Sequence, residues 1–337
     1  MRPLVVIPMG DAAGIGPEIT VKTLASEHAQ QYARMVVVGN KHILEQALKF
    51  SGVSLVINVI TGVNEYLDRP GLMNLIECGD LNIDVFQPGE IQGQCGRAAY
   101  DCIEKAVKMT LRGDVDAVAT TPINKESLRA GGVDFIGHTE IFAHLTDTRD
   151  PLTLFQVRTL RVFFLTRHLS LVEAIRSLTP EKVCDYAVRC TRALQQLGVP
   201  QPKLVVAAIN PHGGEHGLFG HEDDEVLLPG IELAREQGIA IEGPKPADSV
   251  FHFALLGAWD AVLSPYHDQG HIATKMVDFH RTISITSGMP VLRTSVDHGT
   301  ANDIAGKGIA DPVSLIEAVR LAALYAPYYK NNNLRRA

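Results

Sequence analysis

The stretch Ser264-Pro-Tyr-His-Asp-Gln-Gly-His-Ile-Ala-Thr-Lys275 sets two imidazoles, a carboxylate, a carboxamide and an ammonium within twelve residues, around Gly270. It follows an apolar run, Ala254 to Leu263, that reads as a helix end feeding a strand, Trp259 to Leu263. Polar loops at strand ends carry much of the chemistry of α/β proteins, because the sheet is rigid and the loop can reach a ligand. A lone His-Asp pair there would be a solvated turn with a capping Asp. Pro265, Gln269, His271 and Lys275 beside it point instead to a working site.

The histidines repeat this grammar. Eleven of the 13 lie from His138 onward, and three follow apolar strand-like runs. His168 comes after Val162-Phe-Phe-Leu-Thr-Arg, His212 after Leu204-Val-Val-Ala-Ala-Ile-Asn-Pro, and His267 after Ala261-Val-Leu-Ser-Pro-Tyr. Three strand-end imidazoles can converge at one edge of a sheet and leave a coordination position open for substrate, as catalytic divalent sites require. A single strand-end His is more often structural, and no local H-E-x-x-H spacing supports a metal here.

The whole chain narrows the class. Its 337 residues suffice for two domains or one large α/β unit with a split core. A net charge of −7 with no basic stripe argues against nucleic-acid or membrane-surface binding, while a local basic pocket for an anionic substrate remains compatible. Cys78, Cys95, Cys102, Cys184 and Cys190 are odd in number and form no C-x-x-C pair, which favours buried thiols in a reducing compartment. With no signal peptide or apolar run of membrane-spanning length, a cytoplasmic location is expected.

Elements that position these residues alternate along the chain. Leu4 to Met9 is a strand ending in Gly10-Asp-Ala-Ala-Gly-Ile-Gly-Pro-Glu18, with Pro17 in a helix first turn. The G-x-x-x-G-x-G spacing lacks the third glycine of a dinucleotide fingerprint and the Lys-Ser/Thr of a P-loop, so it reads as a tight turn that lets backbone approach a ligand or neighbour. Strands are expected over Met35–Gly39, Leu72–Glu77, Asp116–Thr121 and Lys203–Ile209, and helices over 42–50, 96–112, 180–197 and 314–325. Leu152–Val157 and Leu160–Leu165, separated by Arg158-Thr159, form a hairpin, so the sheet is mixed. The tail from Asn331 to Ala337 is expected to fray.

Several motifs in order carry a resemblance: Gly137-His-Thr-Glu140, Thr166-Arg-His168, Asn210-Pro-His-Gly-Gly-Glu215, Pro246-Ala-Asp248, Tyr266-His-Asp-Gln-Gly270, Lys275 and Arg293-Thr-Ser-Val-Asp-His-Gly-Thr300. Together they resemble the 4-hydroxythreonine-4-phosphate dehydrogenase family of vitamin B6 (pyridoxine) biosynthesis, across nearly the whole chain. His298-Gly-Thr-Ala-Asn-Asp-Ile-Ala-Gly-Lys-Gly308 also resembles the adenine-binding loop of isopropylmalate and isocitrate dehydrogenases. The resemblance implies the α/β/α two-domain fold of those enzymes, with a mixed sheet and an interdomain cleft, working as a homodimer whose active site is shared across the interface. The domains implied are 1–130 plus 275–337, with the nucleotide loop, and 131–274, with metal and substrate residues and the dimer contact.

It also implies roles. Divalent-metal ligands (zinc, magnesium, cobalt or manganese) fall on His168, His212 and His267, and substrate contacts on His138, Thr139, Lys275, Ser284 and Arg293. NAD or NADP falls on His298, Gly299, Thr300, Asn302 and Asp303. Lys275, Asp248 and Asp268 are the candidate catalytic groups, the aspartates as proton relays or as orienters of an imidazole. Ser284 stands where the family usually has Asn, Ala12 replaces a common proline of the first glycine-rich turn, and Ala273 replaces the proline often found after His-Ile. Leu218-Phe-Gly220 and Gly270-His-Ile are similar to a branch that oxidises 4-phospho-D-threonate or 4-phospho-D-erythronate. The implied reaction is oxidation, with decarboxylation, of a 4-phosphorylated 3-hydroxy acid such as 4-hydroxythreonine 4-phosphate, for which a three-imidazole metal would acidify the C3 hydroxyl. A metal-dependent hydrolase with Glu215 as base is the rival, but it has no use for the loop from His298 to Gly308; a sugar-phosphate binder has no use for the metal.

Overall fold

Val5-Val-Ile7, Met35-Val-Val-Val38 and Leu204-Val-Val-Ala207 are uninterrupted apolar runs, as strands covered on both faces require, and every one of these residues is buried. The computed structural model describes residues 2–334. Its strands are β1 (Leu4–Pro8), β2 (Arg34–Gly39), β3 (Val56–Ile60), β4 (Leu72–Glu77), β5 (Ala117–Thr120), β6 (Leu152–Val157), β7 (Leu160–Phe164), β8 (Leu204–Ala207), β9 (Ile241–Lys245), β10 (Ala261–Ser264), β11 (Ile283–Ser287) and β12 (Arg293–Val296). The helices are α1 (Gly16–Ala25), α2 (Glu27–Tyr32), α3 (Lys41–Ser51), α4 (Gly93–Leu111), α5 (Lys125–Ala130), α6 (His138–Leu145), α7 (Leu171–Arg176), α8 (Pro180–Gln196), α9 (Leu228–Glu236), α10 (Ala247–Leu255), α11 (His267–Val277) and α12 (Val313–Leu334). This is the α/β architecture expected.

The chain divides into two compact units, residues 1–151 with 289–337, and residues 152–288. The expected divisions at 130/131 and 274/275 are displaced. Residues 131–151 stay with the first unit because α6 packs on α4, and 275–288 stay with the second because β11 pairs with β6.

In the first unit the strands run β3-β4-β2-β1-β5-β12, every neighbouring pair parallel. Its core gathers Val6, Val36 and Val118 from the sheet with Ile103 and Val107 of α4 and Phe142 of α6. The second unit runs β11-β6-β7-β10-β8-β9. β11 with β6 and β6 with β7 are antiparallel, and β7, β10, β8 and β9 follow in parallel. The hairpin is the one expected, with Arg158 at φ +52°, as the two-residue turn demands.

One expectation changes. The segment after β10 is not a loop around Gly270 but the helix α11, opening at His267. Its inward face is built from Gly270 and Thr274 while Ile272 and Met276 are exposed, so no apolar stripe announces it. At the other end α12 continues to Leu334 rather than fraying at Asn331, and 335–337 lie outside the described residues.

Candidate active site

Candidate residues fall into one cluster in each unit. In the second unit, β7, β10 and β8 are consecutive parallel neighbours, so their C-terminal ends open on the same side of the sheet. His168 follows β7, His267 opens α11 after β10, and His212 follows β8. The rings of His168 and His267 lie 6.2 Å apart by centroid. Together with Arg167, Leu171, Tyr266 and Asp268 they line a cavity of about 280 Å³. His212 is not drawn into this pair: among the described residues no three His, Cys, Asp or Glu side chains are arranged to hold a metal ion. The donor set nonetheless suits a divalent ion, since three imidazoles end adjacent strands and the pair present faces a cavity.

Asp268 Oδ1 lies 2.7 Å from His267 Nδ1. A carboxylate accepting from Nδ1–H leaves the Nε2 lone pair for a ligand, the usual arrangement behind metal-binding imidazoles. Gln269 ties the helix to the neighbouring strand end, its Nε2 donating to Ala208 O (2.7 Å) while its Oε1 meets Ser264 Oγ (2.8 Å). Asp223, fully buried, accepts from the backbone N–H groups of Ile209 and Asn210 at 2.8 and 2.9 Å and so fixes the exit of β8 toward His212. Neither role was visible beforehand. Asp223 stands in the run Glu222-Asp-Asp-Glu225, which reads as a solvated charged face. His212 itself sits at φ +54°, a left-handed conformation that costs a non-glycine residue roughly 1–2 kcal/mol.

One and two turns along α11 come His271 and Lys275. The His271 ring stacks on His267 (4.0 Å) and Phe164 (4.7 Å) and meets Phe155 edge-on (4.3 Å). Burial, reinforced by the nearby charges of His267 and Lys275, pushes its imidazole down to about 4, and its Nδ1 is enclosed without a hydrogen-bond partner. Lys275 Nζ lies 5.3 Å from the Phe279 ring. Ser284 on β11 is directly opposite Phe155 on β6, and opposed residues of an antiparallel pair point to the same face, which here is the face that carries His271. Asp248 is exposed in the first turn of α10.

In the first unit, His138 opens α6 with Thr139 beside it. Burial, and the Arg293 charge second, hold His138 well below the ordinary imidazole range, and its Nε2 is enclosed without a partner although part of the residue is exposed. Arg293, 4% exposed on β12, donates from Nε to Thr120 Oγ1 (3.2 Å) and lies 5.4 Å from the Phe142 ring. Burial alone pushes its guanidinium down to about 9, so it is still a cation at neutral pH and favours an anion that offsets the burial. A neutral imidazole beside a buried guanidinium suits an anionic, hydroxyl-bearing substrate.

The loop after β12 holds the remaining candidates. His298 Nδ1 lies 3.0 Å from Gly299 O, Thr300 is buried, and Asp303 is exposed. Asn302 Oδ1 is an enclosed acceptor without a donor, which the exocyclic amine of an adenine would satisfy.

The relatives of this two-unit α/β chain place it among oxidoreductases of the dehydrogenase class. Residues 31–322 match the family described as "Pyridoxal phosphate biosynthetic protein PdxA", and the chain belongs to that family. A Clostridium botulinum protein provisionally named D-threonate 4-phosphate dehydrogenase is 53% identical over 329 residues, covering 98% of each chain. A Halalkalibacterium halodurans protein of the same name is 56% identical over 328 residues, covering 97% of this chain and 98% of its own. The crystal structure of 4-hydroxythreonine-4-phosphate dehydrogenase from Klebsiella pneumoniae superposes with a TM-score of 0.91 at 38% identity, covering 97% of this chain and 98% of that one. Among the described residues no helix is long and apolar enough to cross a membrane.

Proposed function

We propose that the enzyme oxidises a 3-hydroxy acid phosphorylated at C4, with loss of the carboxylate as CO₂, and that D-threonate 4-phosphate is its substrate. What carries the reaction class is the set of histidines ending three adjacent parallel strands, with a cavity at two of them. In this reading His168, His212 and His267 hold a divalent ion, and Thr300 and Asn302, with His298, Gly299 and Asp303, hold NAD or NADP. A divalent ion held there would supply Lewis acidity toward the substrate hydroxyl and the ketone formed from it, and a nicotinamide would supply the hydride acceptor.

The protein's own groups bind and orient. Arg293 and Lys275 are the cations suited to a phosphate or a carboxylate of the substrate. His138, held neutral, hydrogen-bonds a hydroxyl or a phosphate oxygen, and Thr139 sits beside it in the same helical turn. Asp268 orients His267, and Asp248 and Lys275 are assigned to proton transfer. Ser284 supports a hydroxyl rather than an amine at C2, in keeping with the 53% and 56% identity to relatives named for D-threonate 4-phosphate against 38% to the 4-hydroxythreonine enzyme. The active form is a homodimer; Ile272, Met276 and Phe279, exposed at helical spacing along and just beyond α11, support a partner surface in the second unit. Five free cysteines suit a reducing, cytoplasmic compartment.

NADH formation, followed by its near-ultraviolet absorbance with D-threonate 4-phosphate, D-erythronate 4-phosphate and 4-hydroxythreonine 4-phosphate, tests the assignment. The first should give the highest kcat/KM. Arg293→Met should lower it by about 10- to 200-fold, the equivalent of one charge-assisted contact of ~1.5–3 kcal/mol. No NADH with any of the three would sink the dehydrogenase reading, and preference for 4-hydroxythreonine 4-phosphate would move the substrate to the vitamin B6 branch.

A further inference from the structure

The glycine-rich segment Gly10–Glu18 matches neither nucleotide fingerprint, and the proposed chemistry does not use it. Its neighbour is the loop that follows β12. Ile15 N donates to Thr300 O at 2.9 Å. Gly14 presses on the same residue so closely that a Cβ there would stand 2.7 Å from Thr300 Cβ and 3.0 Å from Thr300 O. One turn into α1, the fully buried Glu18 accepts from Ala310 N at 2.7 Å through Oε1. The same oxygen takes Lys22 Nζ at 2.7 Å, and that ammonium also donates to Gly308 O (2.9 Å) and Ala310 O (2.7 Å).

Helix α1 and the turn that leads into it therefore grip the loop at both ends. Thr300 is held from Gly14 and Ile15, Gly308 and Ala310 from Glu18 and Lys22, and Asn302 with its enclosed, partnerless Oδ1 lies between the two grips. A third strut comes from Gly89, whose N–H donates to Ala13 O at 2.7 Å and whose Cβ, if it had one, would stand 2.8 Å from Asn302 O. A loop that presents one amide oxygen to a ligand needs its backbone fixed, and a chain with no hydrogen-bonded sheet around it must borrow that rigidity. The cage of two carbonyls and a carboxylate around one ammonium is more than the helix needs for its own stability, since α1 already has Pro17 in its first turn.

We propose that Glu18 and Lys22 are positioning residues for nucleotide binding: they touch no cofactor, and they set the backbone from Thr300 to Ala310 that does. This rests on the reading of Asn302 and Thr300 as nucleotide contacts. The glycine pattern then has a different purpose from a phosphate cradle. Gly14 is small so that Thr300 can close onto it, and Glu18 ends the motif because the loop's far end needs an acceptor and a counter-charge for Lys22.

The test is calorimetric titration of NAD⁺ into the full-length protein, with steady-state kinetics alongside. Lys22→Met should raise the Kd for NAD⁺ by about tenfold or more, ~1.4 kcal/mol per decade, and raise the KM for NAD⁺ in step. KM for the phosphorylated acid and metal content should stay within about twofold. Lys22→Arg, which keeps several donors in the cage, should recover most of the affinity. Gly14→Ala, an independent change at the other grip, should show the same selective loss. A purely structural role would lower thermal stability without moving Kd measured well below the melting temperature, and that result overturns the proposal, as does wild-type Kd in both Lys22→Met and Gly14→Ala. Asn302→Ala separates the two levels: if it leaves Kd unchanged, the loop is not the nucleotide site and the proposal falls with it. If Asn302→Ala weakens NAD⁺ while the grip variants do not, only the positioning role is refuted.

Discussion

Gly270→Ala probes how α11 is seated. The helix lies against β7 at this residue, where a Cβ would stand 2.5 Å from Phe164 Cε1, 2.9 Å from Phe164 Cζ and 2.8 Å from Val162 Cγ1. Two effects compete. Alanine is the better helix former by about 1 kcal/mol. Overpacking costs about 1–3 kcal/mol when the neighbours cannot yield. Here Phe164 is pinned, edge-on to Phe155 at 5.6 Å and stacked on His271 at 4.7 Å, so the overlap wins. Net destabilisation should be about 1–2 kcal/mol, seen as a fall of roughly 2–6 °C in the thermal midpoint by circular dichroism. Relieving the contact requires α11 to lift by about 1 Å, the difference from ordinary carbon–carbon separation. His267, His271 and Lys275 all ride on that helix, and a misplacement of ~1 Å can cost on the order of 100-fold in rate. We therefore expect kcat/KM to fall about 10- to 100-fold. Adding Phe164→Leu should restore part of the loss, giving a positive coupling in the double-mutant cycle. Unchanged midpoint and kcat/KM in Gly270→Ala, or a double variant no better than the sum, would refute the reasoning.

Two further outcomes follow from the same structure. His212→Gly should abolish stoichiometric divalent-metal binding by elemental analysis, yet leave the metal-free protein as stable or up to about 1 kcal/mol more so, because glycine relieves the left-handed strain at φ +54°; full metal content in that variant would exclude the three-histidine site. The enclosed imidazoles make stability pH-dependent: His138 and His271 are held below the ordinary value of 6.5, His271 to about 4, so between these limits the unfolded chain binds protons that the folded chain does not. Stability is full above pH 6.5 and falls as pH drops toward 4, and His138→Phe should flatten that acid limb in melts run across the range.

Much of this was legible in the sequence where a single signal decides the local structure. The apolar runs gave the parallel strands, Arg158-Thr159 between two such runs gave the hairpin, and the amphipathic run from Pro180 gave α8, whose capping by Thr179 on Lys182 N the structure adds. The strand-end histidines were legible because strand ends are. What escaped was set by packing rather than pattern. α11 hides its period because a glycine and a threonine face the sheet, and β3 was missed because it is an edge strand with Val56 and Val59 exposed. The division between the units left no linker to read, since both crossings fall between closely spaced elements, and only the pairing of β11 with β6 decides where residues 275–288 belong. Asp223 carries no signal in its charged run, because only the fold brings its two oxygens to the N–H groups of Ile209 and Asn210.

The order in which the first unit obtains its strands bears on how the protein is made. β12 pairs with β5, yet 172 residues, from Thr121 to Leu292, separate them in the chain. A ribosome must therefore synthesise all of 152–288 before the strand that covers β5 exists. Until Arg293–Val296 emerges, β5 is a bare parallel edge of buried-type residues, Ala117-Val-Ala-Thr120, with unpaired amides open to any extended segment. The second unit, contiguous in sequence, can complete its own sheet meanwhile. Nascent chains stalled between residues 150 and 290 should consequently be the ones that engage holdase chaperones, and release should coincide with delivery of β12.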